Sequence, residues 1–200
     1  MTLLLSAAYN LYWLGRYMRR TQELPKKILD SQPGERTALL NYLGWPSEDT
    51  GDAAVRHYLY SRALPESFDH INDNVQAVRA VIDADASELF NQVRRLHQGG
   101  SPRAAVFQLS ACSAVMQEQN NLVTRFWQLG DYVEMLDQRI RSGDAESRHY
   151  RYLAQVVTLL PDGTAWDQIK QQIQAMVFTT DSSQFYVWHD RLTQLFEDGV

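Results

Sequence analysis

The sequence predicts an all-α helical bundle with an internal pseudo-twofold repeat of long helices. Three observations predict it. Apolar residues recur at three and four spacing along most of the chain, and no segment sustains the period-two alternation of a half-buried strand. Glycine and proline fall between the periodic stretches, cutting the chain into helix-length pieces. Two stretches also resemble each other. Asn10-Leu11-Tyr12-Trp13-Leu14-Gly15-Arg16-Tyr17 aligns without gaps on Arg125-Phe126-Trp127-Gln128-Leu129-Gly130-Asp131-Tyr132, and both carry Leu-Gly-x-Tyr after aromatic and apolar residues. A duplication in a helical chain implies equivalent helices that face each other, here near 5–31 and 113–141.

Each element has its own signal. Leu5, Ala8, Tyr9, Tyr12, Trp13, Arg16, Tyr17 and Arg20 give residues 5–31 a helical stripe. Pro25 should kink this helix or end its regular part, because it lacks an amide donor and crowds the preceding turn. Ser31-Gln32-Pro33-Gly34 reads as a turn, and a helix at 35–43 stops at Gly44 with Pro46 beyond. Val55, Tyr58 and Leu59 mark a helix over 52–62. Pro65-Glu66-Ser67 opens a long helix to about 97, with Ile71, Val75, Val78, Ile82, Leu89, Val93 and Leu96 as its buried stripe. After Gly99-Gly100, Ser101 and Pro102 form an N-cap and first position. Residues 102–141 are one helix or two. Helices at 145–159, at 165–177 with Thr164 as a cap, and at 183–197 complete the chain. Gly130, like Gly15, sits inside a helix, where glycine costs about 1 kcal/mol against alanine. Close approach of another backbone would explain both.

With 200 residues the chain is expected to form a single domain over 1–200, long enough for a sizeable core. Apolar residues are 44% and charged residues 22%, ordinary for a globular protein, and the net charge is −5. That balance argues against nucleic-acid binding, which shows a basic footprint. No run approaches the ~20 apolar residues of a membrane span. No basic segment precedes Leu3-Leu4-Leu5, so no secretory signal is expected. The single cysteine, Cys112, allows no intrachain disulfide and fits a cytoplasmic setting. It reads as a small buried residue before it reads as a nucleophile.

Three groups of polar residues could carry chemistry. Arg16, Arg19 and Arg20 lie on one helix, and Arg19 aligns with Glu134 as Gln22 aligns with Asp137. If the two copies pack on one another, arginines face carboxylates. The result is either an ion-pair network or a site for an anionic group that a guanidinium fork would grip. Glu146-Ser147-Arg148-His149 puts a glutamate and a histidine on one helix face, as di-iron bundles do, but no second copy exists and no metal is expected. Asn74 shares a stripe with Val78 and Ile82, so it either glues helices or lines a pocket. Tyr12, Trp13, Phe126 and Trp127 read as core. Phe185, Tyr186 and Trp188 read as core or as a partner surface. The chain carries no phosphate loop, dinucleotide fingerprint, nucleophile elbow or cysteine metal cluster, so no cofactor is expected.

Ala8-Tyr9-Asn10-Leu11-Tyr12-Trp13-Leu14-Gly15-Arg16-Tyr17 resembles the opening of the bacterial alpha-E family, whose Leu-Gly-Arg-Tyr is followed by Glu-Arg-Ala-Glu. Asn74 with Val78-Arg79, then Glu88 and Phe90-Asn91, is similar to the family's central helix. Phe126 to Glu134 is similar to its second repeat. Arg19 and Gln22 stand where the resemblance implies glutamates, Asp131 and Met135 where it implies arginine and another residue of the repeat, and Gln76 where an arginine is common. The resemblance marks a short, divergent member. It implies a helical fold and gene neighbours of the circularly permuted ATP-grasp and transglutaminase-like classes. The expected function is therefore a non-catalytic accessory or binding protein of a peptide- or amide-bond-forming system. Its partners would be an ATP-grasp-type ligase, a transglutaminase-like protein or a peptide substrate. The expected ligand groove combines Arg16, Tyr17, Arg20, Asn74, Arg79, Glu134 and Asp137, with arginines for a carboxylate or phosphate and acids for an amine. Two alternatives stay open: an amide-processing enzyme using Glu134 or Asp137 as general acid/base, and a homo-oligomerisation module built on Phe185-Tyr186-Val187-Trp188.

Overall fold

A computed structural model describes residues 3–45 and 47–197, and among them the chain is helical with no strand. Helix α1 (Leu5–Asp30) packs against α7 (Asn121–Ser142) along most of its length and against α4 (Leu64–Val78) on another side. Helices α5 (Ala84–Gln98) and α6 (Pro102–Gln117) pair with each other, as do α8 (Ser147–Thr158) and α9 (Thr164–Thr179). Helix α10 (Ser182–Glu197) packs on α9 and reaches α1, while α2 (Pro33–Tyr42) leans on α1 and α7. The main core holds Leu11, Tyr12 and Leu14 of α1, Leu129 and Val133 of α7, and Trp188 and Phe196 of α10. A second, smaller core around Leu24, Ile28, Leu39, Leu40 and Val55 lies under α2 and α3 (Asp52–Tyr58).

The α1–α7 crossing is reciprocal. A Cβ built on Gly15 would stand 2.0 Å from the Trp127 carbonyl oxygen and 2.8 Å from the Asp131 amide nitrogen. A Cβ on Gly130 would stand 1.8 Å from the Tyr12 carbonyl oxygen and 3.1 Å from the Arg16 amide nitrogen. Trp127 and Asp131 occupy, in the second Leu-Gly-x-Tyr stretch, the places of Tyr12 and Arg16 in the first. Each glycine thus admits the backbone that carries the other, and this contact accounts for glycine inside both helices.

Several boundaries differ from the sequence expectation. The single helix expected to about 97 is two, because Asp83 caps α5 by accepting a 2.8 Å bond from the Ala86 amide. Asn120 likewise caps α7, accepting from the Val123 amide at 3.2 Å, which divides 102–141. Ser101 occupies the cap position of α6 but makes no side-chain cap bond. The helix at Thr164 begins with that residue, and Gly163 holds the position before it. Pro25 does not end α1, which runs on to Asp30. Pro33 opens α2 as its first residue instead of sitting in a turn; Pro46, expected beyond it, lies outside the described residues. Helix α3 passes into a π-helical turn, Leu59–Ala63, and on into α4 without an intervening loop.

Candidate functional site

Four of the seven residues expected in a central groove meet at the α1–α7 interface. The Glu134 carboxylate is wholly buried. Its Oε2 accepts from Arg16 Nε, Arg20 Nη2 and the Tyr42 hydroxyl, each at 3.0 Å. Its Oε1 accepts from Arg20 Nε and Gln138 Nε2 at 3.0 Å and stands 3.1 Å from the same Tyr42 hydroxyl. Asp137 is engaged at both oxygens: Oδ2 accepts from Arg16 Nη2 at 2.9 Å, and Oδ1 accepts from Arg141 Nε at 2.8 Å and the Tyr186 hydroxyl at 3.0 Å. The lone pairs of Glu134 are all taken, and Asp137 holds three donors. The arginines hold Glu134 well below the ordinary carboxylate range against the opposing effect of burial.

The remaining three behave differently. Tyr17 borders the cluster, with the Arg20 guanidinium 5.2 Å above its ring, and stacks on His70 at 4.5 Å. Asn74 does not join: its amide donates to the His70 carbonyl of its own helix at 2.7 Å, the local bond open to a short polar side chain in a helix. Arg79 is exposed at the C-terminal end of α4 and stays out of the cluster, because the chain turns there into α5. The place of an open groove is filled by side chains of four helices.

The sequence reading missed the residues that complete this centre. Tyr42 of α2 accepts from Arg16 at 3.1 Å and from Arg20. Arg141 lies between two tyrosine rings, 4.2 Å from the centroid of Tyr42 and 5.5 Å from that of Tyr186. Gln138 and Arg141 lie four residues after Glu134 and Asp137, a spacing that could have exposed them. Tyr42 and His189 carried no such signal, since they arrive from α2 and α10. His189 Nε2 lies 2.9 Å from Arg16 Nη1 and 2.8 Å from the Tyr12 hydroxyl. An arginine can only donate, so this nitrogen accepts and the proton resides on Nδ1.

Burial and the adjacent Arg16 charge lower His189 from its ordinary 6.5 to about 4. The unfolded chain therefore takes up a proton between these values while the folded chain does not. Stability falls as pH drops from 6.5 to 4, by up to about 3 kcal/mol from this group. In His189→Gln, which keeps an acceptor for Arg16, urea unfolding across that range should lose close to one proton of pH dependence relative to wild type.

About one turn earlier on α7, Arg19 and Asp131 form a bidentate pair, Nε to Oδ1 at 2.8 Å and Nη2 to Oδ2 at 2.7 Å. Arg16 with Glu134 and Asp131 with Arg19 are corresponding pairs in the two aligned stretches. The departures at 19 and 131 are thus the two ends of one contact, with polarity reversed from what the resemblance implies. Arg19→Glu should cost about 2–4 kcal/mol by placing three carboxylates together. Arg19→Glu with Asp131→Arg should recover at least half of that loss in a double-mutant cycle read by urea unfolding.

The other candidates resolve as structure. Glu146 and His149 form a capping box at the start of α8, with His149 Nδ1 accepting from the Glu146 amide at 2.9 Å, and His149 is buried. Cys112 is fully buried on α6, and burial pushes its thiol up to about 12. Phe185 and Trp188 are core residues at 1% exposure each, which removes them from the expected oligomerisation face. No group of three metal-ligating side chains occurs, and no helix is long and apolar enough to cross a membrane, among the described residues.

Residues 3–194 match the family model of Alpha-E, described as a predicted alpha-helical domain with a conserved ER motif. The chain belongs to the Alpha-E family. In the motif as the resemblance places it, Arg20 keeps the arginine of the Alpha-E Glu-Arg pair and Arg19 replaces the glutamate. That arginine is one of the two that hold Glu134. No curated protein and no solved structure matches this Alpha-E chain.

Proposed function

We propose that this Alpha-E protein is a non-catalytic binding partner in a peptide- or amide-bond-forming system that uses an ATP-grasp-type ligase. One observation supports the non-catalytic half of this reading: the buried Glu134 carboxylate is saturated by arginine, tyrosine and amide donors, and both oxygens of Asp137 are held by arginine and tyrosine. A general acid or base needs a reachable lone pair and a pKa near the working pH. Glu134 offers neither, since it is sealed and held in its charged form. A buried, charge-paired centre instead fixes how helices from four parts of the chain sit together, and so fixes the outer surfaces a partner would meet. The ligase half comes from the family membership and the gene setting it implies.

The test is affinity capture of the tagged chain from its own cell, with mass spectrometry and an activity assay on what is recovered. The proposal expects an ATP-grasp-type or transglutaminase-like protein in the eluate, and amide-bond turnover only when that protein is present. Amide-bond turnover by the purified chain alone, at a rate proportional to its own concentration, would replace this reading with the enzymatic one.

A further inference from the structure

Away from the arginine–carboxylate centre, a cleft of about 320 Å³ opens between α1, the segment from α3 into the π-helical turn, and the start of α6. Its floor is apolar, from Pro25 and Leu29 of α1, Leu64 and Val106. Arg56 of α3, Arg103 of α6 and Lys26 of α1 also line it. Both arginines are exposed, and neither forms an ion pair among the described residues. Most other arginines here do, including Arg16, Arg19, Arg20, Arg36, Arg62 and Arg95. The one carboxylate in the lining, Asp30, approaches only Lys26, at 4.0 Å.

A second feature coincides with these charges. Tyr60 belongs to the π-helical turn Leu59–Ala63, and the Arg103 guanidinium lies 5.6 Å from its ring centroid. A π-turn is a costly irregularity in a helix and occurs frequently at functional sites. Here it carries the only aromatic ring of the lining. A half-buried ring, apolar lining residues and two guanidinium forks without ion-pair partners, carried by different helices, make one chemical offer.

We infer that this cleft binds a small ligand with an aromatic body and an anionic head, a phosphate or a carboxylate. The arginines grip the head, and Tyr60 with the apolar floor takes the ring. The inference stands apart from the partner reading above and uses none of its residues.

Phenyl phosphate and benzoate, with inorganic phosphate as a third probe, test it by amide chemical-shift titration of the full chain. At least one aromatic probe should shift Tyr60, Leu64 and Val106 saturably and bind at least tenfold more tightly than inorganic phosphate. Arg56→Ala and Arg103→Ala, both at exposed positions, should each weaken it about tenfold with the spectrum otherwise unchanged. Whichever of phosphate or carboxylate binds more tightly identifies the head. The inference fails if neither aromatic probe saturates, if the shifts lie elsewhere, if inorganic phosphate binds equally well, or if the double Arg56→Ala, Arg103→Ala variant binds as wild type does.

Discussion

Glu134→Gln should destabilise the protein by about 3–5 kcal/mol, read as a lower urea midpoint with an unchanged denaturant slope. The change is nearly isosteric, so packing does not set its size. It removes the negative charge that faces the buried Arg16 and the half-buried Arg20. Arg16 would retain Asp137, but Arg20 would keep only neutral acceptors, the Tyr42 hydroxyl and the new amide oxygen. A domain of this kind has roughly 5–15 kcal/mol to lose, so the variant should unfold easily. Adding Arg20→Met to Glu134→Gln rebalances the charge and should restore part of the loss. If Glu134→Gln alone proves neutral, the carboxylate is not the anchor of the centre.

The second large effect is Gly130→Ala. The new Cβ would stand 1.8 Å from the Tyr12 carbonyl oxygen, so α1 and α7 would have to separate along their main contact. Alanine favours a helix over glycine by about 1 kcal/mol, but overpacking against rigid backbone should cost about 3–5 kcal/mol net. Gly15→Ala should behave alike, because its Cβ would lie 2.0 Å from the Trp127 carbonyl oxygen. Gly34→Ala is the control. That position, in the first turn of α2, has nothing within 4 Å of a new Cβ and should gain about 0.5–1 kcal/mol. Thermal and urea unfolding of the three variants side by side would check the ranking.

These two predictions mark what the sequence made legible. Helical periodicity gave the fold class, and the glycines inside two matching stretches pointed to the α1–α7 crossing before any coordinates. The same alignment brought Arg16 and Arg20 toward Glu134 and Asp137. Periodicity could not show that Asp83 and Asn120 would interrupt runs that look continuous, since an N-cap overrides an apolar stripe that resumes beyond it. Asn74 and Arg79 stand apart from the centre, because α4 ends at Val78 and because side-chain bonding within one helix leaves no trace in spacing. Tyr42 and His189 carry no signal, and Tyr186 reads as core or partner surface, for a different reason. They enter from α2 and α10, and only tertiary packing brings those helices to α7 and α1. Without them, a closed centre looks like an open groove.

The reversed pair at Arg19 and Asp131 carries a similar lesson. Taken singly, each residue is only a departure from the pattern that the resemblance implies. Held 2.7 Å apart, they preserve one contact. Two substitutions that are each costly alone make sense as a pair, and the double-mutant cycle above measures that coupling directly.

The central claim is that the polar core of this Alpha-E protein is a closed, charge-paired scaffold and not a reactive site. The most direct measurement is a carbon-13 NMR titration of the Glu134 side-chain carboxyl between pH 4 and pH 8, assigned by comparison with Glu134→Gln. The account predicts a flat response across that range, with the carboxylate ionised throughout. A titration centred near pH 6 or 7 would contradict it, because it would reveal a carboxyl able to exchange protons at working pH.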